Sequence, residues 1–111
     1  MKVRELVEKL GLTVFTGEVG LDNEIKGGYT SDLLSDVMGN IEEGSIWITL
    51  QTHKNIVAIA SLRDISAVIL VKGFKPEEAA LFQSRLEGVA LLGSDLQAFE
   101  VSGKIYQLLN K

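Results

Sequence analysis

The sequence predicts an α/β fold: a single three-layer domain with a mostly parallel open sheet flanked by helices. Segments with helical periodicity alternate with short apolar segments, which is the order of βα units. One of the apolar segments, Ala67–Val71, is continuous, as in strands that are buried on both faces of a parallel sheet. Hydrophobic and charged residues make up 46% and 23% of the chain, the balance of an ordinary globular protein. We therefore expect residues 1–111 to form one domain with its own core.

A helix is predicted first, because Val3, Leu6, Val7 and Leu10 share one helical face and Gly11 can end the helix in a left-handed conformation. The rest of the N-terminal half is predicted to contain a short strand at Leu12–Phe15, an irregular stretch at Gly17–Gly28, a helix at Asp32–Met38 and a strand at Ile46–Leu50.

A helix at His53–Leu62 opens the C-terminal half, and its segment Ile56–Ala60 is apolar throughout. A helix that is apolar on nearly all sides is buried on nearly all sides. Pro76 suits the first turn of a later helix. The remaining predicted elements are a strand at Ala67–Val71, a helix from Pro76 to Leu86, a strand at Val89–Leu92 and a helix that Ser94 or Asp95 caps and that ends at Leu109.

Composition disfavours several classes of function. The net charge is −4, from 11 basic and 15 acidic residues without a block of either sign, so nucleic-acid binding is not expected. The absence of cysteine excludes disulfides and thiolate metal sites and suits a cytoplasmic protein. No apolar run approaches the roughly 18 residues that cross a bilayer, and the charged N-terminus is unlike a secretory signal. We expect a cytoplasmic protein without a membrane segment.

A small anionic ligand is expected at the carboxyl ends of the strands, where parallel sheets bind ligands near a reversal of strand order. The loops assigned to this edge contain Thr16-Gly17, Gln51–Lys54, Lys72-Gly73 and Gly93–Asp95, and the Gly27-Gly28 segment is expected beside them. The expected ligand-binding residues are Gly27, Gly28, Tyr29, Thr30, Ser31, Thr52, His53, Lys72 and Gly73.

Each of these residues also has a structural interpretation. Gly27-Gly28 can form a tight turn, the Ser31/Asp32 pair can cap the helix that follows, and Thr52 can cap the next one. His53 can be a capping or surface residue, and Lys72 can be solvated. These alternatives stay open at the level of the sequence.

Catalytic motifs are not recognised. The chain has no phosphate-binding loop, since the Gly103-Lys104 pair lacks a glycine at the required upstream distance, and it has no G-x-S-x-G nucleophile. A single histidine without cysteine makes a catalytic zinc site unexpected, and no cofactor is predicted. A non-enzyme is therefore expected. The weakest alternative is a small phosphate-handling enzyme that uses His53, Asp32 and Lys72.

The chain resembles DRTGG-domain proteins over nearly its whole length. The segments that carry the resemblance are Gly27–Gly39, Ile46–Ala60, Ala67–Val71 and Pro76–Phe99. The letters Asp-Arg-Thr-Gly-Gly are not contiguous here, and only Gly27-Gly28 matches them. The resemblance implies a small regulatory or dimer-forming module, found beside CBS-type nucleotide-sensing domains in some pyrophosphatases and ahead of the catalytic part of some phosphotransacetylases. It also implies a fold similar to the N-terminal domain of HPr kinase/phosphorylase and to the UDP-binding end of Mur ligases, and no catalytic residues to transfer.

Two functional hypotheses follow. The first is a non-catalytic regulatory module that self-associates and binds a small anionic metabolite or nucleotide. The second is a structural module that docks on a neighbouring enzyme through the apolar helix Ile56–Ala60. A homodimer is expected in either case, because one α/β layer covers only one face of that helix. Ile56, Ile59 and Trp47 are predicted near its interface.

Overall fold

The computed structural model describes residues 1–110, which form five helices and five strands. In chain order these are α1 (Val3–Leu10), β1 (Thr13–Val14), β2 (Gly27–Thr30), α2 (Leu34–Asn40), β3 (Ser45–Thr49), α3 (Asn55–Leu62), β4 (Ala67–Leu70), α4 (Glu78–Glu87), β5 (Leu91–Gly93) and α5 (Ala98–Leu109).

The strands form one mostly parallel sheet in the order β1-β5-β4-β3-β2. Strands β2 to β5 pair in parallel with their neighbours, and β1 alone pairs antiparallel, with β5. The predicted fold class is confirmed.

Two helical layers cover the sheet. Helices α1 and α5 pack on one face, whereas α2, α3 and α4 pack on the other. The second arrangement follows from the strand order, because β2 to β5 advance in a single direction and right-handed connections then place every connecting helix on the same face.

Strand β3 shows how one segment serves both layers. Its five residues are all buried, with Ile46 and Ile48 in the core beneath α1 and α5, and Trp47 in the core beneath α2 to α4. Successive side chains of a strand point to opposite faces, so a continuous apolar segment is required here.

Strand β2 was not predicted as a strand. Gly27 and Gly28 lie in the segment that was assigned to irregular structure or a tight turn, and they pair instead with Ser45 and Ile46 of β3. Neither glycine has a positive φ, so the expected turn is wrong. Two glycines supply no alternating apolar side chains, which is why the pattern gave no strand signal.

Three predicted helix caps are also wrong. Helix α2 begins at Leu34, with Leu33 in the N-cap position, whereas Ser31 or Asp32 was expected there. Lys54 takes the cap position of α3 in place of Thr52, and Gln97 takes that of α5 in place of Ser94 or Asp95. Ser31, Asp32, Thr52 and Ser94 instead accept hydrogen bonds within the strand-end loops, and each helix starts later than its pattern indicated. The predicted end of α1 is confirmed, because Gly11 is left-handed.

The residues predicted for a dimer interface lie inside the single chain. Ile56 and Trp47 are fully buried, and Ile59 is 6% exposed. Helix α3 packs between α2, α4 and the sheet, so the chain itself covers the faces that were assigned to a second subunit. A homodimer stays a prediction, but these residues do not form its contact surface.

Within residues 1–110, no helix has the length and hydropathy needed to cross a membrane.

Candidate functional site

The carboxyl ends of β2, β3, β4 and β5 meet at one edge of the sheet, called the carboxyl edge below. Thr16-Gly17 was expected at this edge but lies at the opposite one, because β1 runs antiparallel to β5. There the Thr16 hydroxyl accepts a hydrogen bond of 3.1 Å from the backbone N–H of Leu91, the first residue of β5. Thr16 therefore has a structural role.

Asp32 joins the end of β2 to the end of β3. Its Oδ1 accepts hydrogen bonds of 2.7 Å from the Thr49 hydroxyl and from the Leu50 N–H, and its backbone oxygen accepts one of 2.9 Å from the Gln51 amide. Ser31 accepts a bond from the N–H of Leu33 through its hydroxyl. These contacts therefore occupy Oδ1 of Asp32, the carboxylate that a phosphate-handling enzyme would need.

Thr52 and His53 lie where α3 begins. The backbone oxygen of Thr52 accepts a bond of 3.1 Å from Glu77, which precedes α4. The imidazole Nδ1 of the exposed His53 accepts a bond of 3.1 Å from the N–H of Asn55. His53 therefore satisfies a helix-start N–H in the manner of a cap, and its Nδ1 is occupied in this conformation.

Lys72 and Gly73 lie at the same edge, after β4. Both residues are left-handed, with φ of 59° and 73°. Their N–H groups donate to the backbone oxygens of Leu96 and Ser94, at 2.8 and 2.9 Å, and so join the ends of β4 and β5. The side chain of Lys72 is exposed to solvent.

The carboxyl edge thus brings together Thr30, Ser31, Thr52, His53, Lys72 and Gly73, but not the glycine pair. Gly27 pairs with the first residue of β3, three residues back along β2 from Thr30, which corresponds to about 10 Å of strand. Tyr29 points to the α2 face of the sheet, where its hydroxyl donates to Asp36 at 2.8 Å. The predicted site is therefore divided between the carboxyl edge and β2.

The strand order provides no crevice at the carboxyl edge. In doubly wound sheets a ligand crevice opens where the strand order reverses and connecting helices change face. Here β2 to β5 advance without a reversal. A cleft at this edge, beside Gly73, Phe74 and Ser94, measures about 80 Å³, far below the 300–1,000 Å³ of typical small-molecule pockets.

Larger clefts lie elsewhere. One of about 520 Å³ is at the amino ends of the strands, where Lys26 is its only basic lining residue. Its acidic lining residues are Glu24, Glu43, Asp64 and Glu87. The excess of carboxylates makes this cleft unfavourable for an anion. Another cleft, of about 330 Å³, lies between β2 and α5 and is lined by Gly28, Thr30, Ser102 and Tyr106 among others.

Shifted pKa values have structural causes. The hydrogen bond to Asp36 raises the pKa of Tyr29, since it favours the neutral phenol. On α1, Arg4 donates to Glu18 and Asp22, which raises its own pKa and lowers that of Asp22.

Within residues 1–110, no group of three or more acidic or histidine side chains is placed to hold a metal ion.

Comparison with solved structures gives a likeness in fold. The CBS and DRTGG domains of the regulatory region of Clostridium perfringens pyrophosphatase, solved with the activator diadenosine tetraphosphate, match this chain with a TM-score of 0.75 and 16% sequence identity. The match covers 96% of this chain and 46% of that one, so this chain spans about half the length of that structure. No family model and no curated protein matches the chain. The chain therefore has a fold similar to that regulatory region.

Proposed function

We propose that this chain is a non-catalytic regulatory module that self-associates and binds a small anionic ligand, such as a nucleotide. The main support is the likeness of 96% of the chain to the regulatory region of a pyrophosphatase. That structure was solved with a nucleotide activator. In such a module, ligand binding changes the conformation or contacts of an attached or associated enzyme, and no bond is made or broken on the module itself.

We propose the carboxyl edge as the ligand site because exposed lysines follow two of its strands. Lys54 follows β3, and Lys72 and Lys75 follow β4, with His53 beside them. Phosphate oxygens are bound well by such donors. Because the cleft between the loops after β4 and β5 is small, binding there requires these two loops to separate, and the bond from the Gly73 N–H to the Ser94 backbone oxygen is the contact that must change.

Calorimetric titration and thermal unfolding with ATP, ADP and diadenosine tetraphosphate test this proposal. A ligand at about a hundred times its Kd stabilises the folded state by about 2.7 kcal/mol. We expect Lys72→Gln to weaken binding at least fivefold, whereas the matched control Lys104→Gln, an exposed lysine on α5, leaves it unchanged. No stabilisation by any of the nucleotides, or equal effects of the two substitutions, contradicts the ligand-binding part of the proposal.

A second candidate function is docking on a neighbouring enzyme. Helix α4 exposes Phe82 and Leu86, one turn apart, and Leu62 is exposed at the end of α3. Exposed apolar side chains of this size often mark a contact surface. This alternative uses the outer faces of α3 and α4 and not the segment Ile56–Ala60, most of which is buried.

Co-purification with the product of a neighbouring gene tests the docking function. Phe82→Ser should abolish a complex that forms through α4, while Phe99→Ser on α5 should leave it intact. A stable complex without any nucleotide response favours docking over ligand sensing.

A further inference from the structure

Strand β2 offers an unpaired backbone edge. Within residues 1–110 it pairs only with β3, and Gly28 and Thr30 are exposed. Met1 and Lys2 pair with Glu24 and Ile25, so the open edge begins after Ile25. An edge strand presents a row of N–H and C=O groups with which another strand can pair. Natural edges are often blocked by a proline or an inward charge, and Gly27–Thr30 contains neither.

The glycine pair in this strand is not required by the chain itself. Neither residue has a positive φ, and a Cβ added at Gly28 would have the Ile46 backbone oxygen as its nearest neighbour, at 3.7 Å. Glycine inside a strand often marks a place where another backbone approaches closely. The two glycines leave no side chain beside this edge, so a strand arriving from outside the chain meets no steric block there.

Helix α5 extends this surface on one face of the sheet. Ser102 contacts Thr30 through their hydroxyls at 2.7 Å, and Ser102 and Tyr106 line the cleft beside β2. Phe99 lies three residues before Ser102 and so shares its side of the helix. Phe99 is 88% exposed and Tyr106 is 71% exposed. Phe99 and Tyr106 therefore expose two aromatic rings on one side of the helix, beside an open strand edge. Such an exposed apolar surface often marks a contact with another protein.

We propose that a second copy of this chain binds here, with the two β2 strands antiparallel about a two-fold axis. The surface consists of the outer edge of β2 with Phe99, Ser102 and Tyr106, and is called the β2 edge surface. This inference rests on the proposed self-association of the module and gives it a contact.

The β2 edge surface is self-complementary, as a two-fold interface must be. Lys26 precedes β2 and Asp32 follows it, so antiparallel pairing brings Lys26 of each copy beside Asp32 of the other. No ion pair within residues 1–110 involves Lys26, and the Asp32 carboxylate, which bonds the end of β3 through Oδ1, adds a negative charge to this end of the surface. On α5 the same axis places Phe99 of one copy against Tyr106 of the other, with Ser102 between them.

The size of this surface suits a stable dimer. An aromatic side chain buries about 150–250 Å². Four such rings supply close to half of the roughly 1,600 Å² that a specific interface of standard size buries. The two paired strands and the flanking parts of α5 supply the rest.

Sedimentation of the full chain across the micromolar range tests the proposal. We expect a dimer that Phe99→Glu and Tyr106→Glu each weaken about tenfold or more, as for residues at the centre of an interface. The control Phe82→Glu changes another exposed aromatic residue, on α4, and should leave the dimer intact. Circular dichroism checks that each variant is folded. Lys26→Glu should weaken the dimer through repulsion from Asp32 of the second copy.

Amide hydrogen exchange tests the strand pairing itself, since the β2 amides should exchange more slowly in the dimer than in the Phe99→Glu monomer. A wild-type monomer, a dimer that only Phe82→Glu dissociates, or β2 exchange that is the same in both states would each overturn the proposal. Nucleotide titration separates the two proposals. A monomer that binds nucleotide overturns this inference and the self-association of the module but leaves its ligand-binding function standing. A dimer that forms through another surface overturns this inference alone, and a dimer without a nucleotide response overturns the ligand-binding proposal alone.

Discussion

The sequence indicated that Asp32 has a structural role, but it did not indicate which groups its carboxylate bonds. Its position before an amphipathic helix predicted a cap, and any acceptor side chain there satisfies the pattern. In the folded chain the carboxylate turns to the neighbouring strand and accepts bonds from Thr49 and Leu50. Those donors lie 17 and 18 residues away, so no local pattern indicates them.

Removing this carboxylate should destabilise the fold. We expect Asp32→Ala to lower the free energy of unfolding by about 1–2 kcal/mol, because hydrogen bonds to a charged group are lost and the Thr49 hydroxyl loses its acceptor. Asp95→Ala is the control, as Asp95 is an exposed acid at the same edge of the sheet. Urea unfolding followed by Trp47 fluorescence measures both variants. Equal stability of the two would show that the Asp32 bonds contribute nothing.

Tyr29 should make stability depend on alkaline pH. Its bond to Asp36 raises its pKa in the folded chain above the ordinary value near 10. The folded state therefore holds the phenolic proton more tightly than the unfolded state. The resulting stabilisation is complete below pH 10 and is lost as the pH rises through the folded pKa.

Comparison with Tyr29→Phe isolates this effect. The variant lacks the phenol, so its stability should fall less than that of the wild type between about pH 9 and pH 11. Tyr106→Phe is the control, because the hydroxyl of Tyr106 has no hydrogen-bond partner within residues 1–110. Unfolding curves at several pH values measure the slopes, and parallel slopes for wild type and Tyr29→Phe would rule out the effect.

At the scale of elements, apolar segments were predicted well and polar ones were not. The segments Ile46–Leu50 and Ala67–Val71 lie within a residue of β3 and β4, since burial on both faces demands continuous apolar side chains. Strand β2 has the opposite character. Its pairing with β3 depends on backbone hydrogen bonds and on the position of an edge, and neither leaves a trace in hydropathy. The predicted helix starts were wrong for a related reason. The polar residues before each helix bond within the strand-end loops and do not cap the helix.

Substitution by alanine should have opposite effects on stability at Gly27, in β2, and at Gly44, in the turn before β3. Gly27→Ala should stabilise the chain by about 0.5 kcal/mol through a lower entropy of the unfolded state. Its φ is not positive, and the nearest atom to an added Cβ is 3.9 Å away. Gly44→Ala should destabilise by about 1–2 kcal/mol, since Gly44 has a φ of 80° and a Cβ there would lie 2.7 Å from the Lys26 side chain. Thermal unfolding of dilute protein decides both signs, and destabilisation by Gly27→Ala would contradict the open geometry of β2.

At the scale of the whole molecule, strand order limited the prediction of the site. The sequence indicated which loops follow strands, and most of them do meet at the carboxyl edge. It did not indicate that β1 is antiparallel, which moves Thr16 to the opposite edge, or that β2 to β5 advance without reversal, which removes the crevice. Both properties depend on how strands are arranged in space, and several arrangements fit the same helical and strand pattern. Most residues of the predicted site therefore lie at the carboxyl edge, but they do not line a large cavity.

The two helical layers should unfold together, because they share strands β3, β4 and β5. Side chains of β3, β4 and β5 alternate between the core beneath α1 and α5 and the core beneath α2 to α4, so neither core can lose its sheet alone. We expect Ile59→Ala in one core and Ile105→Ala in the other each to lower the free energy of unfolding by about 2–4 kcal/mol. Both residues are nearly fully buried.

In each variant, Trp47 fluorescence reports the α2–α4 core, where the indole donates to the Ser31 backbone oxygen, and far-ultraviolet circular dichroism reports the whole chain. A single cooperative transition requires that the two signals change at the same urea concentration in wild type and in both variants. The control Leu62→Ala, at a position that is 68% exposed, should shift neither by more than about 0.5 kcal/mol. If Ile105→Ala moved the dichroism transition and left the fluorescence transition in place, the two layers would be separate folding units and the shared-strand argument would be wrong.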